Sequence, residues 1–257
     1  MEGFGPASRR AFLAGLMAAA APCAETRTPS TLPTERKRYA DPLTEFEVIR
    51  LTEPNYSSFL PPAHQRPIAR RGGFLLYASD RAGTMQVLRM DLKSGASQVL
   101  TAAAALAPHS LCLTPDERAV CFADGRWICV LSLAGRVVRR IYQASADVSA
   151  LHAAEGSQLL VVETSGDASR LRLAHHGRTG AATLLEVRGR IADPLFRLKR
   201  PLILYRREDA GLWVVNPDGK QHRRLNTPEG TVARAHFSPD GRSVLYLHAP
   251  PDKSKLP

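Results

Sequence analysis

Residues able to do chemistry are few in this chain and scattered along it. His236 follows Arg234 by two positions, so on a strand both side chains point to one face and set a base beside a cation. Arg206-Arg207-Glu208 puts two guanidinium forks next to a carboxylate. Such forks match the geometry of a ligand carboxylate, for example that of a uronate. The same triplet also reads as a solvated loop, where exposed charge pairs contribute little. His175-His176 are adjacent, and neighbours on a strand face oppositely, which makes them poor joint ligands. His64, His109, His152, His222 and His248 stand alone in the sequence. No G-x-S-x-G, H-E-x-x-H or phosphate-binding loop occurs. Serine-hydrolase, zincin and nucleotide chemistries therefore lack support.

The elements that must position these residues announce themselves by repetition. FLLYASDR begins at Phe74, AVCFADGR at Ala119, QLLVVETS at Gln158, LILYRRED at Leu202 and SVLYLHAP at Ser243. The phrase returns every ~40–45 residues, the interval of a β-propeller blade. LTPDERAVCF and FSPDGRSVLY share a Pro-Asp-x-Arg turn that feeds the apolar strand. Behind the first phrase, turns at Asp80–Gly83 and Lys93–Gly95 flank a segment in which Val87, Arg89 and Asp91 alternate with Leu88, Met90 and Leu92. A period of two predicts a half-buried strand. The fourth unit predicts turns at Asp209–Gly211 and Pro217–Gly219. No stretch after Ser30 carries an apolar stripe of helical period over three turns, so the expected class is all-β, a propeller of four-stranded blades. About five blades are visible, the last incomplete.

Residues 1–24 read as an export signal of twin-arginine type. Arg9-Arg10 precedes Phe12-Leu13, an Ala-rich apolar run and small residues near Cys23. That run of ~14 residues is short of the ~20 a membrane span needs, and Pro22 suits a lipid anchor at Cys23 poorly. The expected location is the periplasm or the exterior. Residues 25–41 read as a polar, Pro-bearing linker, 42–249 as the propeller and 250–257 as a polar tail. EFEVIRLT, from Glu45 to Thr52, is expected to be the spare N-terminal strand that closes the ring. The last unit stops at His248-Ala249-Pro250 after its first strands, so a shortened chain, or a protein partner closing the ring, is expected. Cys112, Cys121 and Cys129 lie in apolar strand text and read as small buried hydrophobes, with a Cys112–Cys121 bridge as the oxidised alternative.

The formal net charge is +11, yet the basic pairs Arg70-Arg71, Arg139-Arg140, Arg206-Arg207 and Arg223-Arg224 spread over every unit and aromatics are only 6%. A nucleic-acid footprint needs the charge on one face with aromatics between, so nucleic acid is excluded. A polyanion such as an acidic saccharide, or an anionic envelope component, is the better match.

Three stretches together carry a family resemblance: TEFEVIRLTEPNYSSF, GGFLLYASDRAGTMQVLRMDLKSGASQVLT and LTPDERAVCFADGRWICVLSL. They resemble the N-terminal blades of oligogalacturonate lyase. IADPLFRLKRPLILYRREDAGLWVVNPDGKQHRRL resembles a later segment of that family, with its Trp-bearing strand before Asp-Gly. The resemblance runs from about Glu45 to Leu247 and implies a propeller that cleaves short galacturonides by β-elimination. A divalent metal, usually manganese, stabilises the carboxylate charge, and histidines supply the base and most ligands. The family's His-Pro falls here on Asp193-Pro194, its His-Glu on Arg234-Ala235 and its early His-Arg-Asn-Tyr on Phe59-Leu60-Pro61-Pro62. The family's final Gln and His cluster lies beyond residue 257. The expectation is a lyase-like propeller whose metal site is degraded and which binds an anionic saccharide through Arg206, Arg207 and Arg234. An active lyase would have to use manganese with His236 or Asp193. A Tol–Pal-like protein scaffold is the third expectation.

Overall fold

The computed structural model describes residues 30–63, 65–154, 157–197, 201–208 and 211–251. The export signal, Cys23, His64 and residues 252–257 of the tail lie outside them. So do Asp209 and Ala210 of one expected turn. Every regular element among the described residues is a strand, save a 3₁₀ turn at Pro108–Ser110. Three strands come first: β1 (Thr31–Leu32), β2 (Lys37–Ala40) and β3 (Glu47–Arg50). The first blade is β4 (Ser58–Phe59), β5 (Phe74–Ser79), β6 (Gln86–Asp91) and β7 (Ser97–Val99). The second is β8 (Cys112–Leu113), β9 (Ala119–Asp124), β10 (Trp127–Ser132) and β11 (Val138–Gln143). The third is β12 (Asp147–Ala153), β13 (Gln158–Ser165), β14 (Ala168–His175) and β15 (Ala181–Arg188). The fourth is β16 (Ile191–Phe196), β17 (Ile203–Arg207), β18 (Gly211–Val215) and β19 (Arg223–Arg224). β20 (Thr231–Phe237) and β21 (Val244–Ala249) form a two-stranded fifth unit. Each blade is an antiparallel meander in chain order, as a β-propeller of the expected kind requires.

The recurring phrase is the second strand of every unit: β5, β9, β13, β17 and β21. Leu76, Cys121, Leu160 and Leu204 are fully buried there. Successive blades stack face to face over four apolar clusters, for example Leu76, Phe122 and Leu131 between the first and second. Stacking on both faces mutes the alternation expected of β6, where Val87, Leu88 and Met90 are all buried. Arg89 is accommodated by lying over the Phe74 ring, 4.3 Å from its centroid. The Pro-Asp turns repeat down to their hydrogen bonds. Thr114 Oγ1 donates to Asp116 and Ser238 Oγ to Asp240, each at 2.6 Å, and the Arg118 and Arg242 amides donate to the same carboxylates.

The N-terminal stretch departs from expectation. β3, within EFEVIRLT, pairs with β2 in a separate hairpin, while β1 adds to β7 as the outermost strand of the first blade. Part of the segment read as linker is thus strand. A buried ion pair holds it: Arg81 Nε stands 2.8 Å from Glu35, both side chains 10% exposed, and Arg81 also donates to the Pro33 carbonyl at 2.8 Å. Leu32 and Leu51 then cover Leu75, Tyr77, Leu88 and Met90 on the outer face of the first blade. Gly95, at φ +76, permits the approach, because a Cβ there would collide with Thr34. Composition alone does not reveal a partner 46 residues away such as Arg81. The three described cysteines are buried and free, with Cys112 directly opposite Cys121 in the β8–β9 ladder. No helix of the described residues is long and apolar enough to cross a membrane.

Candidate functional site

The first strand of each blade is an edge strand of its sheet, and in three units the ladder slips there. The register shifts between Val148 and Ala150 in β12, between Ala192 and Leu195 in β16 and between Ala233 and His236 in β20. Two of these bulges hold a non-glycine residue in the left-handed region, Asp193 at φ 50 and Arg234 at φ 48. Bulges re-aim side chains, and aspartate tolerates this backbone better than most residues. Pro194 behind it adds its own steric restriction. Asp193 lines a cleft of about 620 Å3 that opens between the third and fourth blades.

Six segments build the cleft. β12 and its neighbour β13 supply Asp147, Ser149 and Thr164; the start of β16 and the connection before it supply Arg190 and Asp193. The β17–β18 turn gives Glu208, and Pro62 and His109 close the side toward the first two blades. Ser149 Oγ and Thr164 Oγ1 share a hydrogen bond of 3.1 Å across β12 and β13. Asp147 lies 3.8 Å from Arg126, and the His109 ring meets Phe59 edge-on at 5.9 Å. The wall carrying Asp193 is completed from behind by Arg206 of β17, whose Nε stands 3.3 Å from the Asp193 carboxylate. Both are half-buried, Arg206 at 20% and Asp193 at 31% exposure. The cleft thus offers carboxylates, hydroxyls and guanidinium groups around a volume within the usual range for ligand pockets, about 300–1,000 Å3. That donor and acceptor mixture suits a polyhydroxylated ligand.

Pro62 is brought there by the long β4–β5 connection, which crosses from the first blade to the second and third. Gln65 Nε2 donates to the Leu151 carbonyl at 3.0 Å and meets His152 Nδ1 at 2.9 Å. Glu117, itself at φ 61, accepts from Arg66 Nη2 at 2.6 Å, from the Arg70 amide at 2.7 Å and from the Arg71 amide at 3.1 Å. The Arg70 amide first, then the Arg71 amide and the Arg66 charge, hold this carboxyl below its ordinary pKa.

Of the residues singled out in the sequence, Asp193 and Arg206 come together at the cleft wall, and Glu208 joins them in the lining. The others go elsewhere. Arg207, next along the strand, turns to the opposite face, with its guanidinium 5.1 Å from the Trp213 centroid and a 2.8 Å bond to the Arg188 carbonyl. Arg234 is exposed at its bulge, and His236, half-buried opposite Leu245, does not line the cleft. His222, solitary in sequence, shares a 2.6 Å hydrogen bond with the Tyr205 hydroxyl and meets the Trp213 ring at a tilt, 4.9 Å between centroids. Burial lifts the Tyr205 phenol to about 12, and burial followed by the Arg207 charge lowers His222. Asp147, Ser149, Thr164 and Arg190 carried no motif. Their only shared signal is position, at or near the start of a first strand or at the end of the strand paired with it.

The described residues do not fit the manganese that an active lyase would need. Among the described residues no group of three or more His, Cys, Asp or Glu side chains is placed to hold a metal ion. His236 and Asp193 are not brought to one place in the cleft, and Asp193 already faces a guanidinium.

Solved structures with the same architecture include an oligogalacturonate lyase in complex with manganese. It is 21% identical, with TM-score 0.76, covering 85% of this chain and 67% of that one. The oligogalacturonate lyase of Vibrio parahaemolyticus is 16% identical with TM-score 0.77, covering 89% of this chain and 69% of that one. The fold is that of the oligogalacturonate lyase propeller. TolB from Acinetobacter baumannii is more distant, at 18% identity and TM-score 0.50 over 74% of this chain and 52% of that one. No protein-family model and no curated protein matches the chain. The expected resemblance therefore holds at the level of fold.

Proposed function

We propose that this chain is an exported propeller that binds a uronate-bearing oligosaccharide in the cleft between its third and fourth blades, without the metal set for β-elimination. One observation carries it: Asp193 and Arg206 form an ion pair on the cleft wall, at the position where the resemblance would put a histidine. The hydroxyls of Ser149 and Thr164 and the carboxylates of Asp147 and Glu208 are suited to sugar hydroxyls, and Arg190 and Arg206 to the carboxylate. The twin-arginine type of leader and the small, mixed-charge cleft both favour a soluble envelope saccharide over a nucleic acid.

Calorimetry with trigalacturonate, run beside a 235 nm absorbance assay with added manganese, tests it. Binding in the presence of EDTA with no growth of absorbance is the expected outcome. Manganese-dependent product formation would instead establish a lyase built from other residues, and the binding proposal would fall.

A protein-interaction scaffold is the second reading. It draws on Leu245 and Leu247, 59% and 60% exposed side by side on one face of β21. Leu247→Glu separates the two, because it should leave saccharide binding intact while removing any partner that seats on β21.

A further inference from the structure

We infer that Asp193 is a built-in carboxylate that occupies Arg206 until the carboxylate of a ligand displaces it, which makes this pair the element that selects charged over neutral saccharides. This inference rests on the saccharide reading above and names how the same cleft discriminates.

The geometry requires the exchange. Asp193 is among the lining residues of the cleft and Arg206 is not, while Arg206 Nε stands 3.3 Å from the Asp193 carboxylate, so the carboxylate is the member of this pair presented to the open volume. A ligand carboxylate reaching Arg206 must take the place of Asp193. The two anions then compete for one fork, and a neutral sugar has nothing with which to compete.

The pair is not needed to build the wall. β20 makes the equivalent bulge, with Arg234 at φ 48 where β16 has Asp193 at φ 50. The registers correspond, Ala192 opposite Arg206 and Ala233 opposite Leu247, so leucine stands there in place of the arginine. An arginine and a leucine cannot form an ion pair, yet the bulge forms. The Asp193–Arg206 pair is therefore an addition to the bulge and not its cause. At 31% and 20% exposure the pair is shielded enough to matter and open enough to be broken by a ligand.

The test uses the full chain and two probes, trigalacturonate and neutral galactotriose, titrated calorimetrically into the native protein, Asp193→Asn and Arg206→Gln. Asparagine tolerates a left-handed backbone, and Asp193→Gly, which accepts it without penalty, serves as the second variant if asparagine lowers the melting temperature. Asp193→Asn should tighten trigalacturonate by roughly two- to five-fold, the worth of one partly exposed ion pair, and leave galactotriose unchanged. Arg206→Gln should weaken trigalacturonate but not galactotriose, leaving only the share of the preference that Arg190 supplies. An unchanged trigalacturonate affinity in both Asp193 variants overturns the inference and leaves the saccharide reading standing. So does a weaker affinity for both sugars, which would make Asp193 an acceptor for saccharide hydroxyls. Failure of the native protein and every variant to bind either sugar overturns the reading and the inference together.

Discussion

At the scale of single residues, Glu117 does more than its place in a surface turn implies. It is 11% exposed and gathers Arg66 and two backbone amides of the β4–β5 connection, the segment that carries Pro62 to the cleft. Removing its carboxylate strands three donors, one of them charged, at a cost of about 1–3 kcal/mol. Glu117→Ala should lower stability by that amount in urea titration and weaken saccharide binding, because the connection loses its tie to the second blade. Its depressed pKa also fixes a sign. The contribution of Glu117 is fully present above the ordinary glutamate value and disappears as the pH falls through the lower folded value. Native-like stability in Glu117→Ala would mean that Gln65 alone holds the connection.

At the scale of elements, the repeated phrase was legible because it marks the strand that every blade buries on both sides. Four of its five central residues are fully buried; the fifth, Leu245, is 59% exposed because β21 pairs with β20 alone and its outer face meets no further sheet among the described residues. Identical sequence patterns therefore carry unequal energies. Leu204→Ala should cost about 2–5 kcal/mol, as for a packed core leucine. Leu245→Ala should stay within about 0.5 kcal/mol. Equal losses in the two variants, measured by denaturant midpoint, would show that the face of β21 is covered in solution. The cleft was far less legible. Asp193 and Arg206 could be picked out one by one, but their meeting depends on a bulge that slips β16 against β17, and Thr164 reaches them only because the third blade stacks on the fourth. His236 stands apart from the cleft lining, and a bulge again breaks the spacing rule. Spacing along β20 puts it on the face of Arg234 only if the strand is regular, and the shift between Ala233 and His236 breaks that rule. The strand character of β1 and β2 was illegible for a different reason, since the segment between them carries Glu35, which pairs with Arg81 outside its own segment.

At the scale of the whole molecule, the stacked blades trap acidic protons that the unfolded chain releases readily. Burial raises the Cys129 thiol to about 12 and the Tyr205 phenol to about 12. Cys121 is raised by its hydrogen bond with Cys112 and by burial, and Tyr77 by burial. These groups sit in all of the first, second and fourth blades, so the effect belongs to the stack and not to one site. Above about pH 9 an unfolded cysteine loses its proton while the folded one keeps it, so the folded state binds more protons than the unfolded state. Stability is then fully present below pH 9 and falls as the pH climbs toward 12, with each group contributing at most about 1.4 kcal/mol per pH unit. Urea midpoints taken from pH 8 to pH 11 should decline, and Cys129→Ala should make the decline shallower, since alanine has no thiol to titrate while Cys121, Tyr77 and Tyr205 keep their share. A midpoint that stays level over that range would mean that water reaches these strands, and that the blades pack more loosely than the burial of Leu76, Cys121 and Leu204 requires.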